Sequence, residues 1–325
     1  MSGTLNVGII GCGRMGSNHI RNLKTFSDVK IVAVCDVVDS ILTRVAQETG
    51  AVPYATARDL LQNDELDAVY VATNTPSHAD LGIAVMESGR KLFVEKPLVF
   101  NVEDGQRLIK AAQRTGQLNA VGHQWRYLQG VARAKEVLGT EPLSLIRLSY
   151  YWTWPLVDWI AHRETGGGQV MDQGVHLLDL ARYFAGEISE VYAKYTLNAR
   201  KTDNFPNWDA QVVAGEFTSG TVFSLSTTYA LFKEIADPAQ VDLVAKDLLV
   251  RITPHETYFF TPNSTQIFHE TAASEWREDR AFVDACLDNN PPLILSTIDD
   301  AFQSLSVVLA ANASAKSGRA VQVSS

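Results

Sequence analysis

The stretch LNVGIIGCGRMG, residues 5–16, decides the fold. Residues 5–10 are a short apolar run of the kind that forms a buried strand. Gly11 to Gly16 then spell G-x-G-x-x-G and lead into a helical pattern that runs to about Phe26. A second strand run, VKIVAVCD at 29–36, ends in Asp36, about 20 residues beyond the last glycine. Strand, glycine turn, helix, strand and terminal acid together form a dinucleotide-binding pattern, whereas the six-residue motif alone is weak. The glycines let backbone amides approach a pyrophosphate at a helix N-terminus. Gly11, Gly13, Arg14, Met15 and Gly16 are therefore candidate cofactor contacts, and Asp36 is the candidate acceptor for the adenosine ribose hydroxyls. A carboxylate there repels a 2′-phosphate, and no Arg or Lys occurs at 37–40 to offset it, so the expected cofactor is NAD rather than NADP.

The alternation continues outward from this unit. Asp39 and Gly50 bracket a helix, Thr56 opens a capping-box variant, and DAVYVAT (67–73) reads as a strand. A helix follows Pro76, then a strand at 91–95, a helix from Asn101 to Gly116, and a strand at 117–123. Such alternation predicts an α/β fold, a doubly wound parallel sheet over residues 1–123. Beyond 124 the pattern changes. A helix at about 128–138 and a strand at LSLIRLSYYW lead to a glycine-led helix. Short strand runs follow near 188–198, 209–217, 221–229, 239–245 and 248–252, then helices at about 273–288 and 297–316. Residues 124–325 are expected to form a second domain with a mostly antiparallel sheet.

Bulk properties exclude several classes. The net charge is −9, which disfavours nucleic acid as a partner. Three unpaired cysteines, Cys12, Cys35 and Cys286, argue against a disulfide framework or a zinc ribbon. No signal peptide and no uninterrupted apolar run of membrane-span length is read, so a cytoplasmic protein is expected.

Two further motifs carry chemistry. Glu95-Lys96-Pro97 ends a strand at the carboxyl edge where open parallel sheets bind ligands. Thr73, Asn74, Pro76 and His78 lie in the loop after the preceding strand and are further candidate cofactor contacts, with Glu95 and Lys96. In GGGQVMDQGVHLLD (166–179) the glycines suit a turn rather than a helix interior. Asp172 and His176 follow at i and i+4, on one helical face. An imidazole of ordinary pKa about 6.5 is a natural proton acceptor. The pair also fits an ordinary surface contact or two metal ligands, although no further ligand cluster is found and no metal is expected.

With these motifs in view, the chain resembles the glucose–fructose oxidoreductase and inositol dehydrogenase family, often written Gfo/Idh/MocA. The resemblance rests on GCGRMG, Glu95-Lys96-Pro97, VGHQWRY (121–127), GGGQVMDQGVHLLDLARYFAG (166–186) and ASAKSGRAVQV (313–323), and covers nearly the whole chain. It implies that residues 124–325 form an α/β domain whose sheet is open. It implies that Lys96, Asp172 and His176 form the catalytic set, that Pro97 follows a cis bond, and that Arg126 reaches substrate. It also implies homodimers or homotetramers through the exposed sheet face. Trp152, Trp154 and Trp159, in the loop WTWPLVDWIAHRE (152–164), suit either stacking on a sugar or aromatic packing; Trp154 is the candidate substrate contact. The expected activity interconverts a secondary alcohol and a ketone on a sugar or cyclic polyol. The rival readings are an NAD-dependent glycosidase working by transient oxidation and a non-catalytic nucleotide- or sugar-sensing protein.

Overall fold

The structure is a computed structural model that describes residues 3–155, 157–235 and 239–324. It divides into two compact units, 1–124 with 275–302, and 125–274 with 303–325. The first break falls one residue from the expected boundary. The assignment of 275–302 differs from the sequence reading, which gave that segment to the second domain. Its aromatic side chains explain the difference. Trp276 packs edge-on against Phe26 at 5.2 Å, and Phe282 packs against Tyr70 and Phe93 at 5.3 and 5.5 Å, inside the first unit's core.

The first unit holds strands β1 (Leu5–Ile10), β2 (Val29–Cys35), β3 (Val52–Tyr54), β4 (Ala68–Val71), β5 (Lys91–Val94) and β6 (Asn119–Val121). They pair in parallel in the order β3-β2-β1-β4-β5-β6. The order reverses at β1, the point where such sheets open a crevice at their carboxyl ends. β4 is buried along its whole length, as expected of a strand covered on both faces. Gly50 and Gly116 end their helices in the left-handed region, and Thr56 and Asn101 cap theirs through side-chain oxygens. Asp39 begins its helix rather than capping it; Val38 holds the cap position. β3 was not read from the sequence because Pro53 marks it as an edge strand with little pattern.

The second unit holds β7 (Leu145–Thr153), β8 (Ile188–Thr196), β9 (Ala210–Phe217), β10 (Val222–Leu231), β11 (Ala239–Ala245), β12 (Leu248–Ile252), β13 (Glu256–Thr261), β14 (Ser264–His269) and β15 (Val321–Gln322). Their order is β14-β13-β12-β11-β7-β10-β9-β8-β15. Within this second sheet only β7 and β10 pair in parallel among the described strands. The expected hairpin at 218–220 joins β9 to β10, with Gly220 at φ +87°. β13 and β14 escaped the sequence reading because β14 is mostly exposed and Pro262 interrupts the run.

One stretch, Pro291–Ser317, is apolar and long enough by length and composition to cross a membrane. The sequence reading found no such run, because Asp299, Asp300 and Lys316 break it up. In the fold 61% of its apolar window is buried, as a core helix is.

Candidate active site

In the first unit the glycine turn is built by close approach. Gly11 has φ +89°, and a Cβ there would meet the Ala72 carbonyl oxygen at 2.6 Å. A Cβ on Gly16 would meet the Gly11 carbonyl oxygen at 1.9 Å. Gly13 differs, since nothing lies within 4 Å of its Cβ position. It leaves open the N-terminus of the helix Arg14–Leu23, which has no side-chain cap and no acid in its first turn. An uncapped helix start of this kind presents free amides and a partial positive charge to an anion. Arg14 is exposed beside it, and Met15 is half-buried. Asp36 follows β2 as expected. Its Oδ2 accepts from the Cys12 amide at 2.7 Å and its Oδ1 from the Val38 amide at 2.9 Å, so the carboxylate is fixed at the strand end. These residues fit a dinucleotide.

The cysteines take no part in thiolate chemistry near neutral pH. Burial, then the charge of Asp36, pushes the Cys12 thiol up to about 12. Burial likewise raises Cys35 to about 11 and Cys286 to about 12.

The loop after β4 divides. Asn74 and Pro76 are exposed and Thr73 half-buried, with the Thr73 hydroxyl 2.7 Å from that of Ser77. His78 is buried. Its Nδ1 faces the Pro97 and Leu98 carbonyls at 3.1 and 3.2 Å, and its Nε2 faces the Thr73 carbonyl at 3.2 Å. All three partners are carbonyls, so a neutral ring, with one N–H, donates to one side only, and the tautomer decides which. Burial lowers its pKa against the pull of these carbonyls.

The Lys96–Pro97 peptide is cis, as the family resemblance implies, and Lys96 is half-buried. Glu95 is turned inward. Its Oε1 lies 3.1 Å from His19 Nε2, and its Oε2 accepts from the Lys96 amide at 3.0 Å. Glu95, expected as a cofactor contact, is buried with a protein partner at each oxygen.

In the second unit Gly166 ends a short helix, Arg163–Gly166, rather than lying in the expected turn; Gly167 caps that helix at φ +72°, and the chain itself packs close to these glycines. A Cβ on Gly166 would meet the Ile160 carbonyl oxygen at 2.3 Å. Gly168 has φ +85°, and its Cβ would lie 2.8 Å from Gln211 Nε2 and 3.1 Å from the Trp208 ring. The helix then opens on a π-helical segment, Val170–Gly174, and continues as an α-helix over Val175–Ala185. Single π turns recur at functional sites, and the sequence carries no signature of this one. Asp172 lies in the π segment, half-buried, and His176 is buried in the first α turn.

Tyr229, at the end of β10, donates from its hydroxyl to Asp172 Oδ2 at 3.3 Å. Burial, then the Asp172 charge, pushes this phenol well above its ordinary value and keeps it a donor. Phe205 packs on Tyr229 at 6.0 Å, and Trp154 on Phe205 at 4.5 Å. Trp154 is half-buried at the outer end of this aromatic row; Leu156, in the same loop, lies outside the described residues.

Arg126 takes a structural place. Its Nε and Nη2 donate to the two oxygens of Asp179, both at 2.7 Å, and both side chains are buried. Asp179 also accepts from Ser304 at 2.8 Å. These two bonds use two of the five guanidinium donors, so Arg126 is anchored by Asp179 whatever else it contacts.

A parallel sheet of this order, with an open glycine turn below a fixed strand-end acid, defines a dinucleotide-binding α/β protein. The chain belongs to the GFO/IDH/MocA oxidoreductase family: residues 5–123 match its NAD-binding Rossmann fold and residues 137–239 its C-terminal domain. Among curated relatives, a myo-inositol 2-dehydrogenase of Thermotoga maritima is 30% identical over 67% of this chain and 66% of its own length. A scyllo-inositol 2-dehydrogenase (NAD(+)) of Bacillus subtilis is 27% identical over 97% of this chain and 95% of its own. Two other curated relatives are matched over only 58% and 41% of their length. Among solved structures, GenD2 from gentamicin A biosynthesis, in complex with NAD, superposes with a TM-score of 0.86. It is 26% identical, covering 100% of this chain and 98% of that one.

Proposed function

We propose that the protein is an NAD-dependent dehydrogenase that interconverts a secondary alcohol and a ketone on a cyclic polyol or sugar, with inositols the first candidates. The observation that carries this reading is the fixed Asp36 carboxylate beside an uncapped, glycine-led helix start, in a chain that also keeps Lys96, Asp172 and His176. Inositol dehydrogenases among the relatives support the substrate class.

Gly11, Gly13, Gly16 and Asp36 would hold NAD, which would supply a hydride acceptor for the carbinol carbon. His176 takes the hydroxyl proton, so that alcohol becomes ketone with one hydride and one proton removed. Asp172 offsets the charge that develops on the imidazole. Lys96 donates a hydrogen bond to the reacting oxygen and stabilises its negative charge. Proton-transfer groups of this kind have no use in a pure sensing protein.

The test is a panel of inositols, aldoses and sugar acids with NAD or NADP, followed by reduced-nicotinamide absorbance. Turnover of a polyol with NAD is expected; no turnover on any member refutes the reading. Asp36→Ala should improve use of NADP by about tenfold, the effect of removing a repulsion of about 1 kcal/mol per unit charge. A wild type that already prefers NADP contradicts the role of Asp36.

A cytoplasmic homo-oligomer belongs to the same proposal. Val212 and Val222, 50% and 47% exposed on the second sheet, suit burial in a subunit contact.

A further inference from the structure

The Lys96 turn is anchored by a chain of buried polar groups that the sequence motifs do not predict. It runs from the helix Ser274–Asp288 to the strand end within the first unit. Asn22 Nδ2 donates to Asp279 Oδ2 at 2.8 Å, and Asp279 Oδ1 lies 2.7 Å from His19 Nδ1. His19 Nε2 lies 3.1 Å from Glu95 Oε1, and Glu95 Oε2 holds the Lys96 amide at 3.0 Å. His19, Asp279 and Glu95 are 1%, 0% and 6% exposed. The His19 ring lies 5.1 and 5.0 Å from Tyr70 and Phe93, which fix its plane.

Both ring nitrogens of His19 face carboxylate oxygens, so two N–H donors, an imidazolium, satisfy the site. Burial opposes that charge, but Asp279 and Glu95 overcome it and raise the His19 pKa well above its ordinary value. Burial likewise opposes ionisation of Glu95; the His19 hydrogen bond and charge, then the charge of Lys96, hold its pKa below the ordinary value. The neighbouring Glu278 is pushed the other way, by burial and then by Glu95 and Asp279, which raise its pKa well above the ordinary carboxylate value. A second buried histidine, His78, lies on the far side of the turn, its Nδ1 at 3.1 and 3.2 Å from the Pro97 and Leu98 carbonyls.

We propose that His19, clamped between Asp279 and Glu95, is a positioning residue that sets the placement of Lys96 through the Glu95 carboxylate and the Lys96 amide. This role rests on the dehydrogenase reading of Lys96 given above. Packing adds an independent handle on the same carboxylate: a Cβ on Gly122 would lie 3.1 Å from Glu95 Oε2. Glu95 must then move by a few tenths of an ångström with no change of charge.

The test compares His19→Leu, Gly122→Ala, Glu95→Gln and Lys96→Met with wild type. It uses NAD with whichever polyol of the panel turns over, myo-inositol first, and measures amide hydrogen exchange at Lys96 without cofactor. His19→Leu and Gly122→Ala should lower kcat by about 10- to 100-fold, as small misplacements of reacting groups do. KM should move little, and Lys96 exchange should rise by about fivefold, the weight of one hydrogen bond. Glu95→Gln should keep most of the wild-type rate, since its amide oxygen can still accept from Lys96 and its NH₂ can donate to a neutral His19. Wild-type kcat with unchanged Lys96 exchange in both His19→Leu and Gly122→Ala, beside an inactive Lys96→Met, overturns the positioning role and leaves the dehydrogenase reading standing. Full turnover in Lys96→Met overturns the reading of Lys96 and this role with it. Should His19→Leu fail to fold, Gly122→Ala carries the comparison alone.

Discussion

Lys96 and Asp172 are held by opposite kinds of chemistry. Behind Lys96 stands a run of charges, Glu95, His19 and Asp279, all buried. Behind Asp172 stand rings, Tyr229, Phe205 and Trp154, joined to the acid by one phenolic hydrogen bond. The first support depends on every charge keeping its partner, because a buried ion left alone costs several kcal/mol. The second depends on volume and contact, and loses energy in smaller steps when one group is trimmed.

The largest effect expected of this contrast lies in the second unit's own ion pair. Arg126→Ala leaves Asp179 buried with its bidentate partner gone, and should cost about 3–5 kcal/mol in the urea-unfolding free energy. If stability holds while KM for the polyol rises sharply, Arg126 is instead a substrate contact, as the family resemblance implied.

The pH dependence of stability should separate the two supports. His19 has a raised pKa in the folded protein. Its stabilisation is complete below the unfolded value of about 6.5 and is lost as pH rises toward the folded value, at a slope of at most about 1.4 kcal/mol per pH unit. Tyr229 is also raised, from 10.0, so its support weakens only above that pH. Urea midpoints measured from pH 6 to pH 9 should therefore fall in wild type, and less steeply in His19→Asn. Equal slopes in the two proteins would show that His19 does not carry the extra proton.

The smallest effect is that of Tyr229→Phe, which removes one hydrogen bond from Asp172 and keeps the ring. About 0.5–1.5 kcal/mol is expected, read as a loss in kcat of at most about tenfold with Tm nearly unchanged. A much larger loss would mean that the phenol itself handles a proton.

The two supports were unequally legible. GCGRMG and Asp36 are separated by one strand and one helix, so local spacing places them. The alternating elements around them follow from period and turn residues alone. Glu95-Lys96-Pro97 and the Asp172–His176 helix were visible as motifs because their members are close in sequence. His19 and Asp279 lie 260 positions apart, and only folding of 275–302 onto the first unit joins them. An acid on an amphipathic helix reads as solvated until its burial is known. Tyr229 looked like one more alternating residue of a strand. The π turn at Val170–Gly174 leaves no local trace, since its residues suit an α-helix equally well. For Glu95, His78 and Arg126 the motif suggests a residue facing a ligand, and the fold adds buried protein partners that lie far along the chain or in backbone carbonyls, which no motif displays.

In the proposed reaction His176 accepts the substrate proton. The direct test is kcat for His176→Ala against wild type, with NAD and the polyol that turns over, in protein shown to be folded and to bind NAD normally. A loss of about 10²–10⁴ in kcat is predicted, the range for removal of a general base. A His176→Ala enzyme that turns over at close to the wild-type rate would contradict the account.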